Sequence, residues 1–160
     1  MEIRPATPED VPDVLPMVAK VCAFHESLDP AKYGFRADPE RMYDRWLVNR
    51  SKDPRSVFLV ADAARPGEPR RLVAFLIGTV EAEIPIYRLK EFGFIHDLWV
   101  EEKYRHEGIG RQIVTLAVER FRQIGVKQVR LDTAWGNEAA RGLFAACGLR
   151  PSVVEMLIEL

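Results

Sequence analysis

The sequence predicts a single α/β domain, residues 1–160, and three observations carry that prediction. Strand-like and helix-like patterns alternate along nearly the whole chain, with no repeat, low-complexity tract or linker between them. A chain of 160 residues is long enough for one packed core and too short for two ordinary domains. The central stretch, residues 92–125, has the pattern of a strand, a glycine-bearing loop and an amphipathic helix, and we expect the rest to pack around it.

Composition and charge narrow the function classes. Lysine and arginine number 23 against 24 acidic residues, a formal net charge of -1, so there is no electrostatic case for binding nucleic acid. No apolar run approaches the roughly 20 residues of a membrane helix, and residues 1–5 lack a signal-peptide core, so the expected location is the cytoplasm. Cys22 and Cys147 fall at apolar positions of predicted helices and are expected to be reduced, buried thiols. No metal site and no membrane partner is predicted.

The first third of the chain predicts a strand and two helices. Residues 2–6 form the expected strand, and Thr7 then caps a helix that begins with Pro8. Residues 25–39 are rich in turn formers and aromatic side chains, which fits either a loop lying over a site or a simple connector. The second helix runs to about Ser51, and its inner face is expected to consist of Met42, Trp46 and Leu47.

The remaining elements flank the central stretch. Residues 56–61 and 72–83 predict a hairpin of two strands, and Gly78 within the second indicates a possible bulge. Residues 126–134 alternate as a strand does, and Asn137 then caps a helix that Gly148 ends. Residues 153–160 predict a last strand, and an edge strand this apolar invites cover or pairing, which makes a homodimer possible.

The loop in the central stretch has the features of an anion site. The apolar strand before it ends at Glu101, and the loop from Arg105 to Gly110 leads directly into the helix. Gly108 and Gly110 let a ligand approach the backbone, and the first-turn amides of a helix lack intrahelical partners, so a pyrophosphate would fit there. A tight turn with no ligand is the alternative interpretation of the glycines alone.

Two familiar phosphate loops do not match this segment. A dinucleotide-binding loop needs a small residue where this chain has Ile113, and a P-loop needs Lys and Ser or Thr where it has Arg111 and Gln112. Residues 105–110 instead satisfy the motif Gln or Arg, two residues, Gly, one residue, Gly or Ala, and so resemble the acetyl-CoA loop of the Gcn5-related N-acetyltransferase (GNAT) family. Residues 73–78 and 137–149 resemble two further segments of that family.

The resemblance implies a fold and a cofactor site. It implies a mixed central sheet that splays at the cofactor site, with helices on both faces. The pantetheine arm of acetyl-CoA would bind the strand backbone in the gap, the loop amides would hold the pyrophosphate, Asn137 would reach toward the arm, and Phe144 would pack against the cofactor. The cofactor-binding residues implied are Leu98, Trp99, Val100, Arg105, His106, Glu107, Gly108, Ile109, Gly110, Arg111, Asn137 and Phe144.

Acetyl transfer to an amine needs a group that takes the amine proton. Asp97 is the first choice, because it precedes the expected thioester position on the central strand, and Glu83, Glu81 and Asp132 are the alternatives. Each of these carboxylates is also explained by solvation or ion pairing. Strand alternation places His96 and Asp97 on opposite faces, so only one of the two is expected in the site.

The sequence leaves open which amine accepts the acetyl group and whether the protein is catalytically active. Acidic side chains would suit a small cationic substrate such as a polyamine, an aminoglycoside or an amino acid, and a protein N-terminus or lysine is the alternative within the class. Phe144 stands where many family members have a tyrosine that protonates the leaving thiolate, which leaves room for a catalytically silent acyl-CoA sensor. Tyr104, Tyr87 or water are the substitutes considered. The acidic side chains are Glu26, Asp29, Glu81, Glu83 and Asp97.

Overall fold

The computed structural model describes all 160 residues and contains five strands and four α-helices. The strands alternate with the helices much as the sequence predicts. Short 3₁₀ turns at Pro8–Asp10 and Glu102–Tyr104 precede α1 and α3. In chain order the elements are β1 (Glu2–Pro5), α1 (Val11–Leu28), α2 (Pro39–Lys52), β2 (Val57–Asp62), β3 (Leu72–Ala82), β4 (Glu91–Val100), α3 (Ile109–Ile124), β5 (Val129–Leu131) and α4 (Glu138–Ala146).

The strands form one mixed sheet in the order β1-β2-β3-β4-β5. The first four strands are antiparallel neighbours, and β5 runs parallel to β4. Helices α1 and α2 cover one face through a core that includes Val18, Leu47 and Phe75, while α3 covers the other through Ile113 and Phe121. This confirms the predicted α/β fold with helices on both faces. None of the helices combines the length and the apolar character that crossing a membrane requires.

The predicted splay lies between β4 and β5. These strands pair only from Gly93 opposite Val129 to Ile95 opposite Leu131. Beyond Ile95, β4 continues to Val100 with β3 on one side and no strand on the other. No strand therefore pairs with the outer backbone edge of the last part of β4.

A β-bulge at the start of this free edge changes the direction of two side chains. Ile77 of β3 lies opposite Asp97, but the next residue, Gly78, lies opposite Ile95, so His96 has no partner on β3. One extra residue in a strand breaks the alternation of its side chains. The bulge predicted at Gly78 is confirmed in position, although the extra residue belongs to β4.

One aromatic ring on α3 fixes the spacing between helix and sheet. A Cβ added to Gly93 would lie 2.6 Å from Cδ1 of Phe121, and one added to Gly78 would lie 2.8 Å from Cζ of the same ring. Real Cβ atoms do not approach other carbons this closely, so both positions need glycine while Phe121 fills the space. The pair of glycines forms a slot into which the ring packs.

Two N-terminal predictions are wrong in detail. Helix α1 continues to Leu28, because no proline or glycine follows Pro16 until Pro30, and the connection shortens to residues 29–38. Met42 is 66% exposed rather than internal, and the side chain of Tyr43 takes the inner position because it hydrogen-bonds a buried carboxylate.

Two C-terminal predictions are also corrected. Strand β5 has only 3 residues, since β4 and β5 diverge after Leu131. Residues 151–160 form no strand, and their apolar side chains are exposed. A strand needs a paired edge, and so short a neighbour offers almost none. Cys22 is buried as expected, whereas Cys147 is only partly buried, and both thiols are free.

Candidate functional site

The loop between β4 and α3 presents a row of unpaired backbone donors. No backbone amide from His106 to Arg111 donates to a protein acceptor, and the first helical amide to do so is that of Gln112, which bonds the Gly108 carbonyl at 3.0 Å. His106 and Gly108 both have positive φ, 63° and 81°, which turns the chain sharply into the helix. Amides arranged this way at a helix N-terminus bind anions.

The two glycines of this loop serve different purposes. Gly108 needs glycine for its backbone angle, and a Cβ there would meet only the Gln112 side chain, 3.7 Å away, so the space beside it is open. A Cβ on Gly110 would come within 3.1 Å of Cδ2 of Leu143 in α4. The first glycine therefore shapes the anion site, and the second lets α4 pack closely on α3.

The Arg105 side chain ties the loop back to the end of β4. Its Nε donates to the Val100 carbonyl at 3.0 Å, and its guanidinium lies 4.7 Å from the centre of the Trp99 ring. Both contacts hold the loop beside the free edge of Leu98, Trp99 and Val100. An extended polar chain could pair with this edge while an anion at its end binds the loop amides, so these residues fit a phosphopantetheine-bearing cofactor.

Asp97 is buried against α2. Its side chain is hydrogen-bonded by the Tyr43 hydroxyl at 2.9 Å, and the residue is only 8% exposed. Burial raises the pKa of Asp97 from 3.8 to about 6, although the bond from Tyr43 opposes that shift. Burial, with Asp97 nearby, also raises the pKa of the Tyr43 phenol and raises that of the Cys22 thiol to about 11. The site thus holds a carboxylate whose charge is poorly solvated.

His96 lies on the same face as Asp97, which corrects the prediction from strand alternation. Its ring packs edge-on against Trp46 of α2, 5.3 Å between centroids, while Asp97 contacts Tyr43 one helical turn away. The bulge is the physical reason, since the extra residue returns two consecutive side chains to one side. Nε2 of His96 lies 2.6 Å from the hydroxyl of Thr79, which also bonds the Glu81 carboxylate.

The other candidate carboxylates occupy different surroundings. Glu83 forms an ion pair with Arg130 at 2.6 Å; the bonds from the Ile84 amide and from Arg130 lower its pKa. Asp132 follows β5 and is exposed. Glu26 and Asp29 lie at the end of α1 and just beyond it. The sheet therefore brings Glu81 and Asp97 to the region of the bulge, whereas Glu83 lies beyond the end of β3 and is paired with Arg130.

The remaining cofactor candidates lie on α3 and α4. The Asn137 side-chain oxygen accepts from the Ala140 amide at 3.1 Å, so it caps α4, and the side-chain nitrogen stays available to donate to a ligand. Phe144 is partly buried in the core cluster of α3. Arg111 and Glu107 are exposed, which suits a backbone role in the loop.

Sequence reasoning missed three residues that complete this region: Tyr43, Trp46 as a neighbour of His96, and Thr79. Tyr43 and Trp46 stand three residues apart on α2, a spacing that places two side chains on one helical face. That spacing was the available signal. Which face would meet Asp97 depended on a bulge whose exact residue the sequence did not specify.

Comparison with known proteins agrees with this geometry. The model of the acetyltransferase (GNAT) family matches residues 22–149. A protein of Archaeoglobus fulgidus, named as an uncharacterized N-acetyltransferase, is 29% identical over 153 residues, which cover 94% of this chain and 93% of that protein.

Solved structures share the fold over the full chain. A mutant of the BH1408 protein from Bacillus halodurans has a TM-score of 0.85 at 22% identity, covering 100% of this chain and 99% of that one. An aminoglycoside 6'-N-acetyltransferase from Acinetobacter haemolyticus has a TM-score of 0.69 at 16% identity, covering 100% and 99%. Glucosamine-6-phosphate N-acetyltransferase from Arabidopsis thaliana has a TM-score of 0.64 at 19% identity, covering 99% and 97%.

Proposed function

The chain belongs to the acetyltransferase (GNAT) family, and we propose that this enzyme transfers an acetyl group from acetyl-CoA to the primary amine of a small cationic molecule. One observation carries the proposal: the unpaired amides from His106 to Arg111 lie at the end of the strand whose edge β5 leaves free. All 160 residues act as one domain in this proposal, since α1, α2 and α3 pack on a single sheet.

Acetyl-CoA would supply the acetyl group as an activated thioester. The loop amides would hold its pyrophosphate, with Gly108 providing the open approach, and the free edge from Leu98 to Val100 would bind the pantetheine arm. The Asn137 amide nitrogen and the Phe144 ring would complete the contacts from α4. A strand amide near Leu98 would stabilise the developing oxyanion.

The acceptor amine must lose a proton, and the three carboxylates differ in their fitness for that task. Glu83 is paired with Arg130, and Asp132 is exposed without a partner. Asp97 is buried with a raised pKa near the first unpaired residues of β4, which favours it among the carboxylates. Because Tyr43 and burial cover Asp97, a proton would reach it through a relay rather than directly.

A small cationic acceptor fits the charges around the bulge. Glu81 lies beside His96 with 46% of its side chain exposed, and its charge would attract an ammonium group. Two structural neighbours are named for aminoglycoside and amino-sugar phosphate substrates, which supports an amine on a small molecule. A protein N-terminus or lysine side chain is the alternative acceptor.

Phe144 cannot protonate the leaving thiolate. A thiol with a pKa of about 8.5 is a tolerable leaving group near neutral pH, so Tyr104, Tyr87 or water would suffice. Tyr104 stands in the turn just before the loop and is partly buried, whereas Tyr87 is exposed in the hairpin. The reaction therefore does not depend on a tyrosine at position 144.

Two measurements test the proposal in sequence. Isothermal titration with acetyl-CoA should show binding, and a thiol-release assay over polyamines, aminoglycosides, amino acids and peptides should show turnover with one amine class. Asp97→Asn should keep the binding and lose turnover. Binding without release on any amine would support the sensor alternative, and no binding at all would refute the assignment of the loop.

We also propose a homodimer formed through residues 151–160. This segment is apolar and uncovered, with Val153 85%, Met156 87% and Ile158 81% exposed, and β5, with 3 residues, is too short to pair with it. The same segment of a second copy would supply the missing strand neighbour and cover these side chains. Light scattering should find a dimer for the full chain and a monomer when the chain ends at Arg150; a monomeric full chain would refute this.

A further inference from the structure

A hydrogen-bonded cluster on the α2 face of the sheet joins β3 to the bulge in β4. The Thr79 hydroxyl lies 2.6 Å from Nε2 of His96 and also bonds Oε1 of Glu81. Glu81 Oε1 is 3.6 Å from the same imidazole nitrogen. Thr79 is buried, so its hydroxyl has these two partners in place of water.

The direction of these bonds fixes the tautomer of a neutral His96. A carboxylate can only accept, so the single hydroxyl proton of Thr79 is donated to Glu81. The Thr79 oxygen then accepts from His96, which requires the imidazole proton on Nε2. Nδ1 keeps its lone pair, and no protein group bonds it.

The surroundings of His96 favour the neutral imidazole and leave part of the ring accessible to a ligand. Burial against Trp46 and Phe94 lowers the pKa of His96; Glu81 on β3 opposes this shift, and Arg50 on α2 adds to it. The adjacent Asp97 is turned to Tyr43. The side chain is nevertheless 29% exposed, so a ligand can contact it. His96 is also the first residue of β4 beyond the pairing with β5.

We propose that Nδ1 of His96 takes the proton of the acceptor amine directly, with Thr79 and Glu81 as positioning residues. This inference rests on the proposed acetyl transfer and names the first group of the relay that the buried Asp97 requires. The amine nitrogen uses its lone pair to form the bond to the acetyl carbon, and the carbon–sulfur bond breaks with its electron pair on sulfur. The amine proton moves to Nδ1, and the imidazolium then returns it to the thiolate or to water.

The tautomer is measured without any turnover. Long-range ¹H–¹⁵N correlation spectra of the full chain should show one of its three histidines as the neutral Nε2–H form at pH 8, and His96→Gln should remove that signal. Thr79→Val, which keeps the shape without the hydroxyl, should mix the two tautomers, and Thr79→Ser should restore the wild-type spectrum. An Nδ1–H form in the wild type would overturn the proposal.

Kinetics test the role itself. On an amine that the wild type acetylates, His96→Gln should lower kcat by about 10²–10⁴-fold while the titrated affinity for acetyl-CoA stays within about twofold. Glutamine can still donate to Thr79, so the fold should hold. The wild-type rate should fall as the pH drops through the lowered pKa of His96, and that dependence should vanish in the variant.

The role of His96 and the proposed acetyl transfer are refuted by different results. A wild type that turns over an amine, with His96→Gln retaining its kcat, overturns the base assignment and leaves acetyl transfer standing. A wild type that releases no thiol on any amine refutes the proposed function and, with it, the role of His96 as base, whatever the tautomer.

Discussion

Asp97 should make the folded state less stable at neutral pH than the same fold with a neutral side chain. Its folded pKa, about 6, lies above the ordinary value of 3.8, so between these values the folded chain binds more protons than the unfolded chain. Stability therefore falls as the pH rises through that range. The penalty is absent below pH about 4 and complete above pH about 6 to 7.

The magnitude follows from the two pKa values. Each pH unit between them is worth about 1.4 kcal/mol, so ionised Asp97 costs the folded state about 3 kcal/mol. Asp97→Asn removes that cost but leaves a buried amide group without an acceptor, which costs about 1–3 kcal/mol at every pH. The informative quantity is therefore how the difference in unfolding free energy changes with pH.

Urea denaturation at pH 4 and at pH 7.5 measures how the difference in unfolding free energy between Asp97→Asn and the wild type changes with pH. The unfolding free energy of Asp97→Asn relative to the wild type should rise by about 3 kcal/mol between the two conditions. Asp44→Asn is the matched control, because it removes an exposed carboxylate from the helix that carries Tyr43. A difference for Asp97→Asn that stays constant with pH would refute the account of this buried group.

Two further predictions concern its neighbour and the loop. Tyr43→Phe removes the donor that favours ionised Asp97, so it should destabilise the fold by about 1–3 kcal/mol at pH 8 and by less at pH 5, measured by urea denaturation; equal losses at both pH values would contradict this. Gly108→Ala puts a Cβ on a residue with φ of 81°, a strain of about 1–2 kcal/mol, and should weaken acetyl-CoA binding roughly tenfold by isothermal titration. Gly136→Ala, which has open space and no positive φ, is its control, and unchanged binding by Gly108→Ala would count against the anion site.

The sequence was sufficient where local chemistry decides the structure. Helix α3 and its loop follow from apolar periodicity and from glycines whose backbone angles few other residues adopt. Asn137 was recognisable as a cap because its short side chain bonds a first-turn amide. These features depend on residues close together in the chain.

Contacts between residues far apart in the chain determine the features that the sequence did not predict. Alternation predicts side-chain direction only in an unbroken strand, so one extra residue at position 96 reversed the prediction for His96. Met42 and Tyr43 are neighbours at the border of an apolar stripe, and the buried Asp97 selects the one with a hydroxyl. Residues 151–160 have strand composition, but composition supplies no neighbouring edge.

The slot that holds Phe121 makes residues 93 and 121 depend on one another when the sequence changes. Alanine at Gly93 is blocked while the ring is present, and a smaller residue at 121 alone leaves a cavity between helix and sheet. Gly78 is constrained independently, because a Cβ there would also lie 2.8 Å from the backbone oxygen of Phe94. The substitution at 121 must therefore come first, and homologues that have lost the ring should be the ones in which Gly93 has gained a side chain.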